Sequence, residues 1–135
     1  MGDKKMTPEE AMKQHKQFLQ DILQDVLKVF ASGEAGVNRM ITGLHVYWDA
    51  SHQRSATRRA VLAATAGTPY ENKVEPMGRP FMVMIRSELH TSGFTNSDAL
   101  SQQIYNEARE IALEEAQSGE RNLKRREQLV ASIVH

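Results

Sequence analysis

At 135 residues, with 40% apolar and 25% charged positions, the chain is long enough for one real core and too short for two. Its formal net charge is zero, 17 basic against 17 acidic residues, so no global field draws it to nucleic acid or to a membrane, and either would need a local patch. It contains no cysteine, which excludes disulfides, thiolate metal sites and a cysteine nucleophile and fits a cytoplasmic or other reducing compartment, a virion included.

No apolar run approaches the roughly 20 residues of a spanning helix, and MGDKKMTPEE has no apolar stretch of the secretory kind. Residues 1–6 read as a flexible start. Thr7-Pro8-Glu9-Glu10 then supplies an N-cap, a proline at the first helical position and a capping-box glutamate. Apolar residues follow at helical period, from Ala11 through Phe18, Leu19, Ile22, Leu23, Val26 and Leu27 to Phe30, a broad stripe that ends at Ser32-Gly33.

Residues 34–66 admit two readings. Val37, Met40, Ile41, Leu44 and Trp48 have helical spacing, yet Leu44, Val46 and Trp48 also alternate against His45 and Tyr47 as in a strand. Gly43 weakens the helical option by about 1 kcal/mol. A short strand at 43–49 therefore competes with one long helix, and helix resumes from Ser55 to Gly67. Residues 67–80, broken by Pro69, Pro76, Gly78 and Pro80, read as a loop of the length that more often serves a function than none.

FMVMIRSELH again offers a strand, at 81–86, or a helix. The helix is favoured by Pro80 at its first position and by Gly93 with Phe94 as a left-handed cap and its apolar contact. Thr95-Asn96-Ser97-Asp98 opens another helix whose inner face is Leu100, Ile104, Ala108, Ile111 and Ala112. Its turn-and-cap opening suits a DNA-reading motif only superficially: a helix-turn-helix would want a compact three-helix core with a polar recognition face, and a ribbon-helix-helix would want a strand and a full helix before the turn, where the chain gives one element. Ser118-Gly119 interrupts it, and a last helix at 120–134, with Leu123, Val130, Ile133 and Val134, reads as a candidate interaction arm. The expected fold is a single, mainly α domain of four to five helices over 1–135, with α+β as the alternative.

Three constellations bear on function. His45, Asp49 and His52 stand at i, i+4 and i+7, a set that could hold a divalent metal if the segment is helical; the geometry vanishes in a strand, so no metal and no cofactor is expected. Arg54, Arg58 and Arg59 lie beside Tyr47 and Trp48, where guanidinium groups would take phosphate and the rings would stack on bases. If a helix starts near Ser55, those arginines sit where its dipole disfavours cations, which calls for an acidic partner. Arg121, Lys124, Arg125 and Arg126 form a second basic patch, the kind that is usually an exposed helix face.

The charges are blocked out along the chain. Residues 37–66 carry four arginines against Asp49, a net of +3; residues 97–118 carry five acids against Arg109, a net of −4; residues 119–135 net +2. Such blocks pair within a fold or between copies. No nucleophile elbow or phosphate-cradling loop is present, and Met40, Met77, Met82 and Met84 are of the adaptable type common at binding surfaces. The expectation is a non-catalytic interaction or assembly protein, a homo-oligomer or a structural subunit of a larger viral, phage or nucleoprotein particle, with protein partners and no membrane. The alternative is a small nucleic-acid-binding protein using the patch at 47–59.

Overall fold

The computed structural model describes residues 6–74 and 77–133. Among these, six α-helices and one short 3₁₀ turn account for the regular structure, with no strand. They are α1 (Pro8–Ser32), α2 (Val37–Gln53), α3 (Ser55–Thr65), the 3₁₀ turn Glu71–Lys73, α4 (Arg79–Thr91), α5 (Ser97–Ser118) and α6 (Leu123–Ile133). The mainly α expectation holds, with six helices where four to five were expected, and both strand options, at 43–49 and 81–86, give way to helix.

α1 begins as its sequence dictates: the Thr7 hydroxyl accepts the Glu10 amide at 3.1 Å and Pro8 occupies the first turn. The helical reading of 37–53 wins because one face buries Met40, Leu44, Tyr47, Trp48 and Ser51 together, which an alternating strand would split between two sides. Gly43 belongs in that helix for packing reasons: a Cβ there would lie 2.8 Å from the Phe30 ring. α4 ends in a Schellman motif, with the Phe94 amide on the Leu89 carbonyl, the Gly93 amide on that of His90, and Gly93 at φ +84°. Phe94 packs against the core as expected.

α2 is the hub, packed against α1, α4 and α5, while α5 also carries α3, α4 and α6. Trp48 is fully buried there and donates its indole N–H to the Ala108 carbonyl of α5 at 3.2 Å. Met40 and Met77 are core residues, and Met82 and Met84 pack partly buried against the same core. Met6, at the edge of the expected flexible start, packs on a smaller cluster of Ala11, Val61 and Val74; residues 1–5 lie outside the described residues, as do Glu75 and Pro76 of the 67–80 segment and Val134 of the last helix.

Segment 67–80 is pinned at several points. Successive turns link Thr65, Thr68 and Glu71 by backbone hydrogen bonds, Val74 is buried, and the Met77 carbonyl accepts the Tyr105 hydroxyl at 2.7 Å. α6 packs on the body through Arg126, Leu129 and Ile133, which are buried, and leaves Leu123, Lys124, Glu127 and Gln128 exposed on its other face. No helix among the described residues is long and apolar enough to cross a membrane.

Candidate functional site

The arginine and aromatic patch at 47–59 is divided, with Tyr47, Trp48 and Arg58 buried, Arg54 partly exposed and Arg59 at the surface. Tyr47 and Trp48 are 1% and 0% exposed, so neither ring can stack on a base. Burial raises the Tyr47 phenol well above its usual range. α3 does start at Ser55, after a break at Arg54, and the arginines near its N-terminus do find electron-rich partners. Those partners lie in the same chain and are mainly backbone carbonyls. The Arg54 guanidinium donates to the Ala50 carbonyl at the end of α2 and lies 3.8 Å from Asp25. Arg59 reaches the Ala116 carbonyl in the last turn of α5 at 3.0 Å, where the helix dipole is negative and the carbonyl has no helical amide to accept. Arg58 is buried, donating to the Val74 carbonyl at 2.7 Å and to His15 Nδ1 at 3.2 Å.

The second basic patch is taken up in the same way. Arg126 is 2% exposed and forms a two-pronged pair with the equally buried Glu115, 2.7 Å on both arms, plus a 2.8 Å bond to Asp49. Burial works against the Arg126 charge, but the bonds to Glu115 and Asp49 outweigh it and leave its pKa raised. Arg125 pairs with Glu110 and Glu114, and Arg121 approaches Asp49 at 3.7 Å; Lys124 stays exposed. Arg39 completes the pattern, clasping Glu88 at 2.6 and 2.7 Å while donating to the Phe30 and Gly33 carbonyls at the end of α1.

The metal constellation has the helix it required, but not the geometry. Asp49 turns to Arg126 and Arg121, and His45 packs edge-on against Trp48. Among the described residues no group of three His, Asp or Glu, His52 included, is placed to hold a metal ion.

What the fold does assemble is a cleft of about 690 Å³ between α1, the turn into α4, and α5, within the size range of small-molecule sites. α1 contributes Met12, Lys13, His15, Lys16 and Leu19, one stripe at helical spacing. Lys73 closes the 3₁₀ turn, Met77 and Arg79 lead into α4, and Tyr105 and Arg109 come from α5, Arg109 standing over the Tyr105 ring at 5.5 Å. The floor is apolar and the rim cationic, and no carboxylate is among the described lining residues.

His15 is the polar exception in that wall. It is 4% exposed, and its Nδ1 faces the Arg58 guanidinium, which can only donate. Nδ1 must therefore be the acceptor and Nε2 must carry the proton. Burial first, and the Arg58 charge second, push its pKa down to about 4, so the imidazole stays neutral at physiological pH.

None of these rim residues stood out in the sequence. Lys13 and Lys16 look like an ordinary polar face, and the one usable signal was their position flanking Met12 and Leu19. A second concavity, of about 440 Å³ around the α1–α2 turn, is polar but largely committed: the Val37 amide is capped by Ser92 Oγ at 2.7 Å and Arg39 is held by Glu88. Compared with family models, with curated proteins and with solved structures, the chain gives no match, so fold and cleft must carry the functional reading by themselves.

Proposed function

We propose that this chain is a non-catalytic binding protein that engages an anionic partner at the cleft between α1, the α4 entry and α5. One observation carries the reading. Arg39, Arg54, Arg121, Arg125 and Arg126 all meet carboxylates of the same chain, whereas Lys13, Lys16, Lys73 and Arg79 gather around one apolar concavity with no described acid in its lining. Like charges brought together with no acid among the described lining residues raise the local potential and draw anions.

The same pairing bears on the assembly reading. The acidic block of α5 and the basic block of α6 meet inside one chain, through Arg125 with Glu110 and Glu114 and Arg126 with Glu115. They have little left to offer a neighbouring copy, so a particle subunit built on those blocks is the weaker proposal. Burial of Tyr47 and Trp48 removes the stacking rings from a nucleic-acid reading at 47–59, which favours the cleft as the anion site.

Backbone amide NMR tests the reading, with acetate, inorganic phosphate and a short single-stranded oligonucleotide as probes. The expected shifts fall in residues 12–19, 77–79 and 105–109, weaken with added salt, and disappear in Lys13→Glu/Lys16→Glu, whose own spectrum reports whether it is folded. Shifts mapping to another face, or surviving the charge reversal, would overturn the proposal.

A further inference from the structure

The cleft has three features that act on three different parts of a ligand. Its rim offers Lys13, Lys16, Lys73 and Arg79, compact or forked cations suited to a carboxylate or phosphate head. Its floor offers Met12 and Leu19, both partly exposed, over the fully buried Met77. Thioether and branched aliphatic side chains of this kind accept a flexible apolar chain without fixed geometry. Its wall holds His15, more than nine-tenths buried, with Nδ1 committed to Arg58 and no described group accepting from Nε2–H. A neutral donor held beside cations adds a hydrogen bond to an anionic oxygen without adding to the charge repulsion among them.

From these we infer that the cleft binds a small amphiphilic anion, a single apolar chain ending in a carboxylate or phosphate, with the chain on the methionine–leucine floor and an oxygen of the head within reach of His15 Nε2–H. This rests on the anion-binding reading above and adds the apolar half of the ligand. A plain polyanion would use the rim and leave the floor idle. An uncharged apolar ligand would leave four cations and the His15 donor without a role.

The test is a homologous series titrated by NMR or calorimetry below the micelle concentration: acetate, hexanoate, octanoate and decanoate, with decyl phosphate, decyl maltoside and a ten-residue oligothymidylate as comparison probes. Each methylene that reaches the floor should tighten binding by about fourfold, with saturation at one site. Decyl phosphate should bind comparably to decanoate, and decyl maltoside far more weakly. The Lys13→Gln/Lys16→Gln variant should weaken decanoate at least tenfold while its amide spectrum stays native. A slowed, shifted His15 Nε2–H resonance should appear in the decanoate complex.

Affinity independent of chain length would overturn the inference while leaving the anion-binding reading intact. Decyl maltoside binding as well as decanoate, or the oligonucleotide binding more tightly than every amphiphile, would also overturn it. Failure of all anions to shift the cleft would remove both.

Discussion

The far end of α5 and the cleft at its middle handle positive charge in opposite ways. At the end, Arg126 is buried against Trp48, Glu115 and Asp49, every polar contact is met, and α6 is locked to the body through it. At the cleft, Lys13, Lys16, Lys73 and Arg79 remain in reach of solvent around an apolar floor. Sequence clustering points the wrong way here. In the dense runs, SATRR and LKRRE, the arginines meet oxygen or nitrogen acceptors of the same chain, whereas Lys13 and Lys16 stand exposed at the cleft where we propose that a ligand binds. Arginine's forked, weakly hydrated head explains the division, since it can satisfy several carbonyl or carboxylate oxygens when buried. In this chain it does so at the C-terminal ends of α1, α2 and α5 through Arg39, Arg54 and Arg59.

The largest effect should come from breaking the structural side of that contrast. Glu115→Ala leaves the Arg126 guanidinium buried with only Asp49 beside it, and also removes the acceptor for the Asn122 amide at 2.9 Å, just before α6. Urea denaturation should show a loss of about 3–5 kcal/mol. Replacing both partners, Glu115→Met with Arg126→Met, should recover a substantial part of it, because no buried charge is then stranded. If the double variant is no better than the single one, the pair is contributing attraction and not merely avoiding a stranded charge. Arg59→Ala probes the weaker form of the same device. It frees one carbonyl at the end of α5 and should cost about 1 kcal/mol, measured in the same denaturant titration.

A titration probes the cleft wall through His15, which contacts the buried Arg58 and lines the cleft. The unfolded imidazole takes up a proton below its ordinary pKa of 6.5, while the folded one stays neutral until about 4. Between those values the unfolded state binds more protons, so stability falls as pH is lowered from 6.5 towards 4, and this group takes no more below that. One proton limits the slope to about 1.4 kcal/mol per pH unit. Between pH 6.5 and 5.5, where ordinary carboxylates are still ionised, the denaturation midpoint should drop in the parent protein, and that drop should be absent in His15→Gln. A flat profile in both would mean that His15 is protonated in the fold and that its Nδ1 does not accept from Arg58.

How much of this could be read from the chain depends on how local each feature is. α1 was legible because its cap, its proline and its stripe lie within 25 contiguous residues. The end of α4 was legible too, since Gly93-Phe94 is a local motif. α2 was not, because Leu44, Val46 and Trp48 fit a strand as well as a helix; what decides is Tyr47, buried beside Trp48 at helical spacing from Leu44, and burial of adjacent residues is settled by α1, α4 and α5. The arginine partners were half legible: an acidic partner was expected at the start of α3, and the electron-rich groups supplied there are backbone carbonyls that no residue type announces. The cleft was barely legible, since it exists only where residues 12–19, Lys73, residues 77–79 and residues 105–109 meet, and Lys13 and Lys16 beside Met12 and Leu19 are a faint local trace of it.

The smallest stability effect is the one that sharpens the comparison most. Lys13 and Lys16 make no ion pair or hydrogen bond among the described residues, and both are exposed. Replacing them by glutamine keeps helix propensity nearly constant and relieves repulsion along the rim. The double variant should therefore unfold within about 0.5 kcal/mol of the parent, in either direction, against the several kcal/mol expected for Glu115→Ala. A structural cation cannot be removed that cheaply, whereas one held for a ligand can, with its cost appearing only in binding. If Lys13→Gln/Lys16→Gln instead destabilises the fold by more than about 1 kcal/mol, the rim lysines belong with Arg126 as parts of the scaffold, and the cleft loses its claim to be the working face.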